Sequence, residues 1–549
     1  MSDLIEEKSI KSYVILFGFI SVIIALLAFT NKTINGQNLF RQVNVMSGTF
    51  GNKNFLSSIL FFCLPFYFIG ISMSKKIKAV SFVAIVFTIL LLLMLRTRVV
   101  LIALSIYLLL VVLLQIRSKV PKKIFNWSLV LVITALITGV FYLLSIKDIF
   151  HSSADIKTQY FYRLLSSDTL YARIEYWQQA LYIIKDNFFS GIGVGNWIAT
   201  YPKYGLNHFS DTAIVNGRLI VSNPHNDFLM VLSEIGIFGF LCYLGIFISI
   251  LYQANWLSKN EVKSSERRNA SYFLFFIVCY LIIAFFDFPL TRIEHQIILL
   301  IVFAIINAKY LKANSTKGFK LPSRLFYLFS FVLLLYSMTI ALYRIDGEKH
   351  LLKALAAEKR TDNTTAIFEF NKAENAFFST DTYAIPLDWH LGKAHYNEGN
   401  FEESLKYYSN AYKVNPYCLV VNNDLASTYI KNGRVAHGIR HYKEALTISP
   451  NYEDARINLA ATYYNTEDYE KAFETIDKCD SNSKNESYKQ FLTPIVEKKL
   501  NETLLNLNNP KLNNYLKSKI KTENDLLTLY FDYKRNNTIF DKYIQSLIN

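Results

Sequence analysis

Long apolar runs recur through the first 343 residues of the chain and then stop. About 20 residues of α-helix cross the ~30 Å hydrocarbon core of a bilayer, so each run predicts a membrane-spanning helix. The rest of the 549-residue chain is polar and charged and contains no such run. The sequence therefore predicts an all-α protein, with a polytopic transmembrane helical bundle over residues 1–345 and a second domain over residues 346–549.

Nine segments are long enough to span the membrane. They are residues 12–29, 55–73, 79–95, 99–115, 126–145, 227–252, 271–288, 293–310 and 325–343. No small-residue cleavage pattern follows the first segment, which we therefore expect to be an anchor and not a removed signal peptide. Only a few residues separate the third span from the fourth and the seventh from the eighth. Each of these pairs is either a tight hairpin or a misdivided segment.

The net charge of +15 is concentrated in clusters that follow alternate spans. These clusters are "SKKIK" (74–78), "RSKVPKK" (117–123), "SERR" (265–268) and "KGFKLPSR" (317–324). Because cytoplasmic loops collect Lys and Arg, the clusters predict an N-terminus inside the cell. The long loop 146–225 and the second domain then lie on the outer, periplasmic side. The basic excess is an orientation signal on this interpretation, and no nucleic-acid partner is expected.

The five cysteines show neither a CxxC pair nor a spacing typical of metal ligands. Three of them lie in predicted spans and two in the polar half; they are Cys63, Cys242, Cys279, Cys418 and Cys479. We therefore expect neither a disulfide framework nor a metal site, and a packing role for Cys479.

The polar half contains an internal repeat, which is clearest over residues 385–480. Leu391, Leu425 and Leu459 are spaced by 34 residues, and the same spacing separates Pro416 from Pro450. Small residues recur at two positions of each unit and a large residue at a third; these sets are Gly392/Ala426/Ala460, Ala411/Ala445/Cys479 and Tyr408/Tyr442/Ile476. This pattern resembles the tetratricopeptide repeat (TPR), in which each unit is a helical hairpin.

The repeats predict a TPR-type α-solenoid, with small residues where two helices approach closely. Residues 347–384 are interpreted as a degenerate leading hairpin and residues 485–549 as helices that close the stack, because terminal repeats need a polar outer face. Arrays of this kind are usually binding surfaces. We therefore expect the array to bind a protein partner and look for chemistry in the membrane half.

Ionisable residues inside or beside membrane spans are candidates for function because burying them is costly. The set is Arg96, Arg98, Arg173, Glu175, Arg218, His225, Asp227, Glu234, Asp287, Arg292, Glu294 and His295. On the predicted topology, all of them except Glu234 lie at the outer interface. This one-sided distribution predicts a site at the outer rim of the bundle.

The stretch "SNPHNDFLMVLSEIGIFG" (222–239) places several of these residues at the start of a span. Asn223 is a suitable N-cap and Pro224 suits the first helical position, which puts His225 in the first turn. The helix dipole there favours a neutral imidazole, which can accept a proton from a hydroxyl group. The alternative is that His225 only forms local hydrogen bonds.

Further along this span, Glu234 is expected to face protein or water and to stabilise the fold. Gly236 and Gly239 are expected to permit close packing of a neighbouring helix.

The loop before this span, 146–225, is the only long loop of the membrane half. Residues 170–187 have apolar side chains near helical spacing and predict an amphipathic helix at the membrane interface. Arg173 on this helix either extends toward lipid headgroups or binds a diphosphate in a bidentate manner. The glycines of "SGIGVGNW" (190–197) predict tight turns, and a dinucleotide-binding loop is disfavoured because no strand precedes them.

Five segments in this order resemble the O-antigen ligase/polymerase superfamily of bacterial membrane glycosyltransferases. They are "GTFGNKNFLSSIL" (48–60), "LRTRVVLIAL" (95–104), "ARIEYWQQALYIIKDNFFSGIGVGNW" (172–197), "NPHNDFLMVLSEIGIFG" (223–239) and "FDFPLTRIEHQIILLIVFAI" (286–305). The resemblance implies transfer of a glycan from an undecaprenyl-diphosphate carrier to an acceptor hydroxyl. The reaction takes place at the outer face of the cytoplasmic (inner) membrane, with no cofactor and no metal.

The resemblance also implies roles for particular residues. His225 would act as the base on the acceptor hydroxyl or orient it, and Arg173 would stabilise the departing diphosphate. Arg98, Arg218 and Asn226 would bind the diphosphate of the lipid-linked glycan. Family members commonly carry about a dozen spans, so the resemblance implies either that leading helices are missing from this chain or that its start is misassigned.

The acceptor stays open between lipid A-core (a ligase), a further repeat unit (a polymerase) and Ser or Thr of an exported protein (an O-oligosaccharyltransferase). A non-catalytic TPR membrane scaffold for envelope polysaccharide assembly is an alternative from another class. A transporter or flippase is a third, although it predicts charges at mid-bilayer depth in both halves of the bundle.

Overall fold

The computed structural model describes residues 12–13, 15–17, 52–116, 168–314, 323–536 and 538–547. All regular secondary structure within these residues is helical, which confirms the predicted all-α class. Contacts divide the chain into two compact units. The bundle unit lies within Met1–Trp197 and Asn223–Leu325, and the repeat unit within Ile198–Ser222 and Phe326–Asn549.

Seven helices of the described residues are long and apolar enough to cross a membrane, as expected for a multi-pass membrane protein. Six of them belong to the bundle unit, together with the predicted amphipathic helix. The helices of this unit are α1 (Lys53–Gly70), α2 (Lys75–Leu95), α3 (Arg98–Ile116), α4 (Asp168–Asp186), α5 (Asp227–Asn260), α6 (Ser264–Phe286) and α7 (Ile293–Ala313). The predicted span 126–145 and most of 12–29 lie outside the described residues.

Both closely spaced pairs of predicted spans are tight hairpins. Between α2 and α3 the chain turns at Arg96, which is left-handed with φ 53° and caps α2 through its own N–H. Between α6 and α7 it turns through a single 3₁₀ turn, Pro289–Thr291. The alternative that these segments were misdivided is therefore wrong.

The two ends of the bundle can be distinguished by contacts between loops. At one end, the guanidinium of Arg292 lies 3.6 Å from the ring centroid of Phe55, and the Leu290 amide donates to Asp227. We call this the His225 end; it contains the starts of α1, α5 and α7 and the end of α6. At the other end, the Lys309 end, Lys309 pairs with Glu266.

The core of the bundle is aromatic and is centred on α1. Every residue from Phe55 to Gly70 is buried. Phe62 packs edge-on against Phe276 at 5.3 Å and also contacts Tyr280. Aromatic pairs in these geometries add about 0.5–1.5 kcal/mol each beyond area burial, so α1 fixes the positions of the helices around it.

The repeat unit begins with the long helix that contains the last predicted span. Its helices are α8 (Ser323–Lys359), α9 (Asn363–Ala373), α10 (Leu387–Asn397), α11 (Phe401–Val414), α12 (Leu419–Lys431), α13 (Val435–Ile448), α14 (Glu453–Asn465), α15 (Tyr469–Ile476), α16 (Glu486–Leu507), α17 (Pro510–Lys519), α18 (Glu523–Arg535) and α19 (Phe540–Ser546). Helices α10 to α15 form the three hairpins that the 34-residue spacing predicts.

The small positions of the repeat are where helices touch. A Cβ atom on Gly392 would lie 2.8 Å from the ring of Tyr408 on the paired helix. The equivalent Ala426 and Ala460 are fully buried, and the residues of the second small position, Ala411, Ala445 and Cys479, are buried as well. The packing roles predicted for these residues are confirmed.

Residues 198–222 form part of the repeat unit, although the sequence analysis assigns them to the outer loop of the membrane domain. The Ser449 hydroxyl donates to the carbonyl of Val215 at 2.6 Å, and the Leu206 amide donates to the carbonyl of Ile448 at 2.8 Å. The Glu453 amide donates to the side chain of Asn216 at 3.1 Å. These bonds fasten the segment to the end of α13 and the start of α14.

Candidate functional site

The start of α5 differs from the sequence prediction by three residues. Asn226, and not Asn223, is the N-cap; its side-chain oxygen accepts from the Leu229 amide at 3.0 Å. Asn223 instead accepts from the backbone N–H of His225 at 3.0 Å. His225 therefore precedes the helix, because the first asparagine closes a local turn and the second begins the helix.

The His225 backbone is left-handed, with φ 52°. This conformation is costly for a residue with a Cβ atom and persists only where the surrounding structure holds it. The ring stacks on Tyr176 of α4 at 5.7 Å and meets Phe288 edge-on at 4.8 Å. Two aromatic rings thus fix the plane of the imidazole while about a third of the side chain stays exposed.

A carboxylate faces the buried nitrogen of this imidazole. Asp287 Oδ1 lies 3.9 Å from His225 Nδ1, and the Asp287 side chain is only 10% exposed. Nδ1 has no hydrogen-bond partner among the residues that the structure describes. The sequence analysis counted Asp287 among the ionisable residues but gave it no role. The sequence feature that could have indicated a role for Asp287 is its place between two phenylalanines at the end of a span.

Arg173 lies close enough to Asp287 for their charges to interact. Burial lowers the pKa of Arg173, and the negative charge of Asp287 opposes this effect. A guanidinium keeps its proton even so, because its ordinary pKa exceeds 12. One turn further along α4, Trp177 packs on Phe285 and Phe286 at the end of α6. The amphipathic helix thus brings a half-buried cation to the residues around His225.

Other buried polar residues hold the α6–α7 hairpin in place. Asp227 is fully buried, and its Oδ2 accepts from the Leu290 amide at 2.9 Å. His295 is also fully buried and shares a 2.7 Å hydrogen bond with Ser58 of α1. Both interactions join different helices at the same end of the bundle. They position the hairpin that carries Asp287 and Arg292.

A glycine-rich loop crosses α5 at a kink. Gly236 has φ 68° and ψ −175° within the helix, and a Cβ atom there would lie 2.2 Å from the carbonyl oxygen of Phe189. A Cβ on Gly191 would lie 2.3 Å from the carbonyl oxygen of Glu234. The expectation that Gly236 faces a neighbouring helix is wrong: it faces this loop.

Two further predictions concern residues in or beside this loop. Gly191, Gly193 and Gly195 all have positive φ, as the predicted tight turns require. The Glu234 carboxylate accepts from the backbone N–H of Trp197 at 3.3 Å, which fits its predicted structural role. The nearest atoms to a Cβ on Gly239 would belong to Ile235 of its own helix, and close packing of a neighbouring helix at Gly239 stays a prediction.

The remaining predicted site residues lie in different places. Arg98 is the first residue of α3 and is half-buried; α3 starts at the His225 end, since its residue Ala103 contacts Cys279 in the second half of α6. Arg218 is exposed and belongs to the repeat unit. Asn226 is only 1% exposed and uses its side-chain oxygen to cap α5.

Among the described residues, no group of three or more His, Cys, Asp and Glu side chains has a geometry suited to a metal ion. At the His225 end, the carboxylate of Asp287 faces the imidazole of His225, and its charge interacts with the guanidinium of Arg173. This arrangement can move a proton and stabilise a developing negative charge.

Comparison with known families finds a match in each half of the chain. The family model described as O-antigen ligase matches residues 83–244, which include all five predicted site residues. Tetratricopeptide repeats match residues 389–418, 420–452 and 453–486. A search of curated proteins found no match. Residues 83–244 are therefore similar to the O-antigen ligase family and residues 389–486 to tetratricopeptide repeats, the combination that the sequence predicts.

Proposed function

We propose that the protein transfers a glycan from an undecaprenyl-diphosphate carrier to an acceptor hydroxyl at the outer face of the cytoplasmic membrane. The observation that carries this proposal is the arrangement of His225, Asp287 and Arg173. The His225 imidazole lies 3.9 Å from the Asp287 carboxylate, and the Arg173 guanidinium is near enough for its charge to interact with the same carboxylate. A base and a cation at one place are what displacement of a diphosphate requires.

His225 is the base in this mechanism. The carboxylate of Asp287 faces Nδ1 and favours a proton there, which leaves the lone pair of Nε2 for the acceptor. The acceptor oxygen gives its proton to Nε2 and forms a bond to the anomeric carbon. The bond between that carbon and the diphosphate oxygen breaks, and the diphosphate leaves with the electron pair. Attack from the face opposite the leaving group inverts the anomeric configuration.

Arg173 stabilises the negative charge that develops on the departing diphosphate. A cation aimed at a developing charge in a site of low polarity contributes strongly to the rate. Arg98 supplies a second positive charge at the same end of the bundle, and Arg218 binds another part of the lipid-linked glycan. Asn226 either donates to the diphosphate or fixes the loop, and its cap of α5 favours the second role. The chemistry needs neither a nucleotide sugar nor a metal ion.

The distribution of basic residues supports an outward-facing site. The start of α2 carries Lys75, Lys76 and Lys78, and the start of α6 carries Arg267 and Arg268. Both helix starts lie at the Lys309 end. Because Lys and Arg collect on the cytoplasmic side, this end faces the cytoplasm and the His225 end faces outward. The repeats that follow the spanning segment of α8 then lie on the outer side as well.

Purified full-length protein in lipid nanodiscs tests the proposal. It is incubated, in chelator, with undecaprenyl-diphosphate oligosaccharide and three acceptors: lipid A-core, a lipid-linked repeat unit and a Ser/Thr peptide. We expect transfer to one of them and a loss of about 10²–10⁴-fold in His225→Ala. The control is Asp186→Asn, which changes an exposed carboxylate at the end of α4.

Equal transfer by the wild type and the His225→Ala and Arg173→Ala variants would overturn the catalytic assignment. If substitutions on the repeat surface abolished glycan attachment while those two variants retained it, the scaffold alternative would hold. The acceptor that is glycosylated decides between ligase, polymerase and protein O-oligosaccharyltransferase.

A further inference from the structure

The repeat unit contains a polar cleft of about 690 Å³, a volume within the range typical of ligand sites. One wall is formed by residues 209–218, the segment that follows the glycine-rich loop. The other wall is formed by the start of α14 and by residues 478–485, the connection between α15 and α16. The cleft therefore exists only because the 198–222 segment packs on the repeats.

Both walls are held by buried interactions, so the cleft is built into the fold. Ser449, which bonds to the carbonyl of Val215, is fully buried. Arg456 is also buried, and its guanidinium donates to the carbonyl of Lys478 at 3.0 Å. Burial lowers the pKa of Arg456, but a guanidinium stays charged in a protein. This arginine fixes the start of the 478–485 wall and adds a positive charge to it.

The charge of the cleft is positive. Four basic and two acidic side chains line it; the basic ones are Arg218, Arg456, Lys478 and Lys484, and the acidic ones are Glu453 and Asp480. Arg218, Lys478 and Lys484 form no ion pair with any residue that the structure describes. Three exposed cations that converge on one cleft without partners attract an anionic ligand.

The rest of the lining consists of amide and hydroxyl groups. Asn451, Asn482, Ser483 and Thr212 each contribute a side chain that can donate and accept hydrogen bonds. The apolar lining residues Phe209, Val215 and Cys479 are 5%, 7% and 7% exposed. A protein partner normally needs an apolar or aromatic anchor site, which this cleft does not offer within its described lining. The lining suits a ligand rich in hydroxyl groups.

We propose that this cleft binds an anionic saccharide, that is, a hydroxyl-rich chain that carries carboxylate or phosphate groups. The choice of a saccharide over other polyanions rests on the proposed glycan transfer. Arg218, which lies in one wall of the cleft, precedes His225 by seven residues in the sequence. The repeats would thus hold a glycan substrate through the same segment that leads to the catalytic histidine.

Calorimetric titration of the full-length protein in nanodiscs tests this proposal. The probe is an oligogalacturonate of about ten residues; a neutral maltooligosaccharide and an oligoglutamate of similar length are the comparison ligands. We expect the oligogalacturonate to bind, and its affinity to fall steeply as salt is added. The variant Arg218→Gln/Lys484→Gln should bind it at least about 10-fold more weakly, because charge-assisted contacts are the strong ones.

The matched control is Lys413→Gln/Lys443→Gln, which removes two exposed charges of the same array outside the cleft lining. Its affinity should equal that of the wild type. The proposal is overturned if the oligogalacturonate does not bind, or if both double variants bind it equally. It is also overturned if the oligoglutamate binds as tightly, since the cleft would then recognise an acidic peptide.

The binding and transfer measurements test the two proposals separately, so either proposal can be wrong while the other holds. His225→Ala should bind the oligogalacturonate like the wild type, because His225 lies outside the cleft lining. If saccharide binding depends on Arg218 and Lys484 but no acceptor is ever glycosylated, the proposed transfer is wrong and the cleft remains a saccharide site. If transfer occurs without saccharide binding, the cleft proposal alone is wrong.

Discussion

Asp287 places a carboxylate oxygen 3.9 Å from Nδ1 of His225, although the two residues belong to different helix connections. Neither residue is part of a helix: one precedes α5 and the other caps the end of α6. Such positions allow backbone conformations that a helix does not, including the φ of 52° at His225. The pairing therefore depends on the packing of α5 against α6 and on the hairpin that follows α6.

Replacing Asp287 with Asn should lower glycan transfer by about 10²-fold or more while the protein stays folded. Asn is nearly isosteric but lacks the negative charge that keeps the proton on Nδ1, so Nε2 would be a poorer base. Initial rates with saturating donor measure the effect. Because Asp287 acts through His225, the pH–rate profile should change as well as the rate. An unchanged profile in Asp287→Asn would contradict this role.

Replacing Gly191 with Ala should destabilise the bundle unit more than replacing Gly195 with Ala. Both residues have positive φ, so each substitution costs about 1–2 kcal/mol in backbone strain. A Cβ on Gly191 also meets the carbonyl of Glu234 at 2.3 Å, whereas a Cβ on Gly195 meets nothing within 4 Å. Thermal unfolding in one detergent measures both variants. An equal decrease in Tm for Gly191→Ala and Gly195→Ala would show that Gly191 is not in close contact with the α5 kink.

Replacing Ser449 with Ala should loosen residues 205–219 from the repeats. The substitution leaves the Val215 carbonyl without its buried partner, at a cost of about 1–3 kcal/mol. Hydrogen exchange of this segment in the full-length protein should accelerate, and oligogalacturonate affinity should fall. Thr447→Ala is the matched control, since its hydroxyl bonds only to Lys443 within α13. Slow exchange of the segment in Ser449→Ala would contradict the prediction.

The first repeat hairpin should become less stable as the pH rises above about 6.5. Burial alone would lower the pKa of His390, but carboxylates of Glu358 and Asp381, 3.4 and 3.6 Å from its ring nitrogens, outweigh burial and raise that pKa. A raised histidine pKa contributes stability that is complete below the ordinary value near 6.5. This contribution disappears as pH rises through the raised value.

Hydrogen exchange of α10 in the full-length protein, corrected for intrinsic rates, measures this effect between pH 6.5 and 8.5. His390→Gln is the control and should remove the histidine contribution. Burial also raises the pKa of Asp388 to about 6. This shift likewise lowers the stability as pH rises, but at lower pH, and it is still present in His390→Gln. The same pH dependence in both proteins would contradict the role of His390.

The sequence by itself determined which segments are helical and what kind of domain they build. Apolar runs of about 20 residues have few alternatives to a spanning helix, because backbone groups in lipid must bond within the segment. The 34-residue spacing likewise determined the hairpins, since each small position must meet a neighbouring helix. These are local or periodic constraints, and the sequence displays them directly.

Only the tertiary structure decided which polar residues meet. The Gly236 kink that admits the glycine-rich loop and the approach of Asp287 to His225 both involve segments distant in sequence. So does the packing of residues 198–222 on the repeats, which creates the cleft around Arg218. Hydrogen bonds and van der Waals contacts act over a few ångströms, and no spacing within one segment specifies a contact with another.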